Sequence, residues 1–254
     1  MASKPILLVL GAGPNIGIHV SKFFAGRGYK VALASRSKPS FDGGQELHIP
    51  VDLSNPENVP GVFEAVRAKF GESPSVVVYN CASHVDDNMH DPLSSFSLSE
   101  YVKHQNINTN SVLVVLQEAV SGFRSLSDPD AAKTFIYTGN ILNVITIPGR
   151  LTFGLGKSGT AYAIRTLVEG NVYSEEGICF YYTDERTVDG LPVYSEIDGE
   201  TAAEEYFRLA EMREQGPWLF NYVKGLGFRS FEGMEDVIRS TVISGRNLAA
   251  NSSA

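Results

Sequence analysis

The feature that most constrains this chain is a glycine-rich turn between two patterned stretches near its start. Ile6 to Leu10 is apolar without alternation, as a strand covered on both faces must be. It breaks into Gly11, Ala12, Gly13, Pro14, Asn15, Ile16 and Gly17, and a helical pattern follows. Gly11 and Gly13 allow a tight turn and let a ligand approach the backbone with no Cβ in the way. Gly17 lets the new helix lie close to the strand. The helix N-terminus offers free N–H groups and a partial positive charge, which suit an anionic phosphate. Strand, glycine turn and helix together predict the pyrophosphate site of a dinucleotide-binding fold, with Gly11, Gly13, Asn15, Ile16 and Gly17 around the ligand.

Strand and helix patterns then alternate. Val31–Ser35, Glu46–Asp52, Ser75–Tyr79, Thr134–Thr138 and Ile178–Tyr182 read as further strands, each separated from the last by a crossover. Such βαβ units predict a single-domain α/β Rossmann fold, a doubly wound parallel sheet with helices on both faces. One dinucleotide-binding domain over residues 1–254 fits the length and the absence of a linker or repeat. Residues of about 184–232 read as a C-terminal extension. Within them Gly216–Val223 is rich in aromatics, as packing surface or as an apolar substrate wall, and Gly225–Phe231 reads as a last strand.

Charge and cysteine usage exclude several classes. With 21 basic and 29 acidic residues the net charge is -8, so no basic excess exists for a nucleic-acid partner. The apolar run Ile6–Leu10 is too short for a signal or membrane span, so no membrane partner is expected. Cys81 and Cys179 form neither a metal spacing nor a disulfide framework, which fits a reducing, cytoplasmic setting and no metal.

Further positions follow the expected ligand. The second strand ends at Ser35 and Arg36, with Lys38 nearby, where this fold meets the adenine ribose. An acid there would favour NAD; an arginine suits the 2′-phosphate of NADP(H). Asp52 and Leu53 fall where the adenine would lie, although Asp52 can equally serve the start of the next helix. Asn106, Asn108 and Asn110 sit unfavourably inside a helical pattern, which demands a bend or a site.

The order of these motifs resembles the short-chain dehydrogenase/reductase family over about residues 5–183. Leu10, Gly11, Asn15 and Gly17 stand on its opening glycine motif, Asn15 replacing a glycine as a residue tolerant of left-handed backbone. Asn80, Cys81, Ala82 and Ser83 stand on its N-N-A-G motif, which adds Asn80 and Ala82 to the cofactor contacts. The resemblance implies catalytic roles for Asn108 and for Lys157, the latter also holding the nicotinamide ribose. It implies a small-molecule substrate, a substrate lid within about 184–232 and a homo-oligomer packed through the helix that bears the lysine. The catalytic tyrosine position holds Phe153, which has no proton to give, and the serine position holds Asn140. The expected function is an NADPH-dependent reductase of a small or medium apolar carbonyl or iminium, with a non-standard proton-transfer centre. His84, Asp86, Tyr182, Asp184 and Lys157 itself are candidate acids. A non-redox cyclase, isomerase or dehydratase on the same scaffold, or a non-catalytic NADPH-binding protein, are the alternatives.

Overall fold

A computed structural model describes residues 4–39 and 46–252, with side chains to residue 245. Its centre is one sheet of eight strands: β1 (Ile6–Leu10), β2 (Lys30–Ser35), β3 (Glu46–Pro50), β4 (Val76–Tyr79), β5 (Thr134–Thr138), β6 (Cys179–Glu185), β7 (Leu219–Val223) and β8 (Gly227–Phe228). They lie in the order β3-β2-β1-β4-β5-β6-β7-β8. The first seven are parallel and β8 returns antiparallel to β7. The expected single-domain Rossmann architecture is therefore present, with one strand, β7, beyond those the sequence pattern yields; β8 falls within the expected last strand Gly225–Phe231. Order reverses at β1, so the carboxyl ends of β1 and β4 flank the crevice where this topology binds ligands.

Alternation along each strand builds two apolar layers. Leu8, Leu10, Val77, Tyr79, Phe135 and Phe180 face α2 (Val59–Phe70), α4 (Ser111–Arg124) and α5 (Leu151–Glu169). Leu7, Val9, Leu33, Val78 and Tyr181 face α1 (Ile16–Ala25) and α6 (Gly199–Glu211), where Phe24 meets Phe207 edge-on at 5.2 Å. A third, smaller cluster joins Ile141, Leu142, Ile147 and Phe153 to Ile238 and Val242 of α7 (Glu235–Ser252).

The C-terminal third divides between core and cover. The helix within 184–232 is not lid: Ala202, Ala203, Tyr206, Leu209 and Ala210 of α6 are buried against α1 and the sheet. The aromatic stretch becomes β7, a core strand with Phe220 and Tyr222 buried. The segment that covers the carboxyl ends is shorter, from Arg186 to Asp198. It begins with an antiparallel bridge between Arg186 and Pro192 and ends where the Asp198 carboxylate caps α6 by accepting from the Thr201 N–H at 2.9 Å.

The polar stretch in the long helix also resolves. α3 (Leu98–Gln105) runs into a π-helical turn at Asn106–Asn110 and continues as α4. The turn turns Asn108 inward, fully buried, against the segment that follows β4.

Candidate active site

Each glycine of the opening turn has its own reason. A Cβ on Gly11 would lie 2.6 Å from the Cys81 nitrogen, and its φ of 91° is left-handed. A Cβ on Gly17 would lie 2.8 Å from the Ala12 Cα, so this glycine brings α1 onto the turn. Gly13 faces open space, with nothing within 4 Å of such a Cβ. Helix α1 begins there with no side-chain cap and no acid in its first turn, so its first N–H groups remain for an anion. The residues thus fit a dinucleotide phosphate: a cradle left open at Gly13 and unspent donors behind it.

Asn15 differs from expectation. Its φ is −95°, outside the left-handed region, so conformational tolerance is not why asparagine stands here. Its side-chain amide instead donates to the Ile197 carbonyl at 2.8 Å, tying the turn to the covering segment. A Cβ on Gly199 would strike the Asn15 side chain at 2.4 Å, so that junction is close-packed.

The remaining stations lie along the same sheet edge. The Gly11 N–H donates to Ala34 at 2.8 Å, setting the turn beside the end of β2. Ser35 there donates to the Ser37 carbonyl and shares a hydrogen bond with His48. Arg36 is exposed beyond it. Asp52 is exposed too; its carboxylate accepts the Ser54 N–H at 2.9 Å, which with the nearby Arg36 holds its pKa below the usual range. Leu53 points into the core, and its carbonyl accepts from Ser111. Asn80 donates to the Gly11 carbonyl at 2.9 Å, locking the end of β4 to the turn.

Beyond these stations a cavity of about 410 Å³ opens between the carboxyl ends of β4, β5 and β6 and the covering segment. It brings together Ile16, Asn80, Ala82, Asn140, Phe153 and Lys157 among the residues singled out in the sequence. Asn108 stands behind it. Its side chain accepts the Ser83 N–H at 3.0 Å and donates to the Ser83 carbonyl at 2.6 Å, clamping the segment that carries Ala82 and His84. Gly156 permits this crossing, since a Cβ there would meet Asn108 at 2.7 Å.

Lys157 is buried to 2% exposure. Its Nζ donates to the Thr138 carbonyl at 3.1 Å and lies 4.5 Å from the Tyr137 ring centroid. Burial pulls its pKa down to about 7, against the opposing pull of Asp184 and Cys81. One turn earlier on α5, Phe153 stacks on His84 with ring centroids 4.5 Å apart. Burial and Arg150 lower the His84 pKa. The Asn140 side-chain oxygen accepts from the Leu142 N–H, which leaves its NH₂ for a ligand.

Two candidate acids are displaced. Tyr182 is fully buried, its ring covering Gly139, where a Cβ would fall 1.9 Å from it. Its hydroxyl donates to the Asn140 carbonyl at 2.9 Å, and burial raises its pKa well above the ordinary value. Asp86 is exposed and paired with Arg150. Asp184 does line the cavity, but Arg186 donates to it at 2.5 Å with both groups buried. Sequence reading missed Glu185, Tyr206 and Tyr222, which also line the wall. Tyr206 lies on α6 and Tyr222 on β7, so neither stands near a motif; only the inward spacing of α6 marks the first.

A model described as Enoyl-(Acyl carrier protein) reductase matches residues 11–167. The protein named Short chain dehydrogenase/reductase dmxR12, of Cryptosporiopsis sp. (strain 8999), is 41% identical over 245 residues, covering 92% of this chain and 98% of that one. The chain belongs to the short-chain dehydrogenase/reductase family. Human Dehydrogenase/reductase SDR family member 11 is 26% identical over 180 residues, 65% of this chain and 64% of that protein. Among solved structures, the NADH-dependent reductase A1-R' complexed with NAD superposes with a TM-score of 0.72 at 17% identity, over 86% of this chain and 95% of that one. A 3-oxoacyl-[acyl-carrier protein] reductase from Brucella melitensis superposes at 0.71 and 17% identity, over 83% and 91%. These two agree with the short-chain dehydrogenase/reductase fold. Among the described residues no helix is long and apolar enough to cross a membrane, and no cluster of His, Cys, Asp or Glu could hold a metal.

Proposed function

We propose that this chain is an NADP(H)-dependent reductase that acts on a small or medium apolar carbonyl or iminium through a non-standard proton-transfer centre. The observation that carries the reading is the continuity of one edge. The open turn at Gly13, the ends of β2 and β4, and the cavity wall at Asn140 and Lys157 follow one another along the carboxyl ends of the sheet. A nicotinamide dinucleotide bound there supplies the hydride. The chain orients and polarises. Asn140 offers its free NH₂ to a substrate oxygen, Lys157 holds the ribose side, and Ile16, Ile141, Leu142, Ile147 and Phe153 keep the cavity dry.

The cofactor preference rests on Arg36 at the end of β2, where a 2′-phosphate would take a charge-assisted hydrogen bond. Fluorescence titration is expected to give tighter binding of NADPH than of NADH. Arg36→Ala is expected to weaken NADPH by about 10–100-fold and NADH little, the loss of one hydrogen bond to a charged group. Equal affinities in the unaltered chain would remove the preference, and no binding at about tens of micromolar would remove the cofactor. A cytoplasmic setting is part of this reading, on the free thiols Cys81 and Cys179. So is a homo-oligomer. A groove between α4 and α5 is bordered by Leu113 and Tyr162, 46% and 74% exposed, and sedimentation would give the stoichiometry.

A further inference from the structure

We propose that Lys157 is the proton donor of the reduction, in the role that a hydroxyl at position 153 would otherwise fill. The inference rests on the reductase reading above.

Most inward-facing groups around the cavity have no proton free to give; Tyr194, also on its wall, is 57% exposed to solvent. Phe153 has no exchangeable proton. The Tyr182 hydroxyl is spent on the Asn140 carbonyl, and that of Tyr206 lies between the Thr138 and Thr183 hydroxyls at 2.9 and 2.7 Å. Asp184 is held as an ion pair by Arg186; Glu185, whose carboxyl pKa is pushed up by burial, is turned to the Asp198 N–H, which its Oε2 accepts at 2.8 Å. Burial, Tyr206 and the carboxylates of Glu185 and Asp184 hold the Tyr222 hydroxyl well above its ordinary pKa. His84 lies flat on Phe153, and burial together with Arg150 disfavours its charged form.

Lys157 is different. An ammonium carries three N–H donors, and Thr138 takes one. The other two belong to a group that lines the cavity, 5.5 Å from the centroid of the Phe153 ring. The groups facing it are Asp184 from β6, Cys81 and His84 from the segment after β4, and Tyr137 from β5. Asp184 and Cys81 favour the charged amine and burial opposes it, so the proton is held near neutral pH, where a general acid is most effective.

The step balances as follows. A hydride from a reduced nicotinamide dinucleotide forms a C–H bond at the carbonyl carbon. The C=O π pair moves to oxygen, and that oxygen takes a proton from Lys157 Nζ. The lysine, left as a neutral amine, regains a proton from solvent after the alcohol leaves. A preformed iminium cation takes the hydride and needs no proton.

The test compares Lys157→Arg with the unaltered protein on two probes with NADPH: a trifluoromethyl aryl ketone and the N-methyl-3,4-dihydroisoquinolinium cation. Arginine keeps the charge but holds its proton at all working pH. The ketone rate is expected to fall at least about 10²-fold more than the iminium rate, the scale of a lost general acid. Equal losses on both probes would make Lys157 a positioning residue and overturn the proposal. An unaltered protein that binds NADPH and reduces neither probe would overturn the reductase reading, and this proposal with it, before any variant is compared. A second measurement needs no variant. The pH dependence of Lys157 acetylation by acetic anhydride, read by peptide mass mapping, is expected to show a midpoint near 7. A midpoint above about 10, the range of an ordinary lysine, would overturn the proposal.

Discussion

The rings of His84 and Phe153 stack within 15° of parallel, and the Phe153 ring lies 5.5 Å from the Lys157 amine. Such a pair is worth about 0.5–1.5 kcal/mol beyond its burial. Burial of the amine as a whole is what lowers the lysine pKa. Phe153→Tyr would place a phenolic O–H one substituent farther along the same ring. Turnover of an activated ketone is expected to rise by about tenfold or more, within the span of an added general acid. Steady-state NADPH oxidation checks it. No gain from a variant with unchanged thermal unfolding would mean that the cavity does not present a carbonyl there. The sequence made this position legible because Lys157 fixes the register of the motif. It could not show that Tyr182 is sealed against Gly139, because that depends on how β5 and β6 pair.

At the level of elements, the π-helical turn at Asn106–Asn110 bears most on the site. One extra residue in the helical ladder turns the Asn108 amide onto both backbone polar groups of Ser83. Asn108→Ala would leave the half-buried Ser83 N–H and C=O without this partner, at up to roughly 1–3 kcal/mol each. Urea unfolding is expected to show about 2–6 kcal/mol of lost stability, with weaker NADPH binding, because the clamped segment carries Ala82 into the cavity. A loss below about 1 kcal/mol would mean that water replaces the clamp. Three asparagines in a helix announced an irregularity. Its kind was not legible, since the partner groups lie on a distant segment. That Leu219–Val223 is a strand was not legible for a related reason. Phe220 and Tyr222 read alike as packing or as substrate wall, and Tyr222 serves as both, buried in the sheet layer and bordering the cavity.

The whole molecule carries the cost of a charge placed in its interior. The Lys157 pKa is about 7 folded and near its ordinary 10.5 unfolded. Between those values the unfolded chain binds more protons, so the folded state gains stability as pH rises, by at most about 1.4 kcal/mol per pH unit. Below pH 7 both states hold the proton and the penalty is constant. Lys157→Met removes the group. Its unfolding free energy relative to the unaltered protein is therefore expected to be most favourable at pH 6–7 and to decline toward pH 10. A difference that stays flat across that range would show that the lysine is not buried as a cation. The parallel sheet itself was legible, because repeated βαβ units admit few arrangements. The division of the last third was not: a buried helix and a lid helix share one pattern until their neighbours are known.

The hydrogen bond from Asn15 to Ile197 joins the glycine turn to the roof of the cavity, since Ile197 lines that roof. The roof cannot swing outward without giving up an amide of the turn, and an anion settling on the turn meets a residue that already holds the roof. The turn and the roof are thus coupled through one side-chain amide, so a displacement of either is felt by the other.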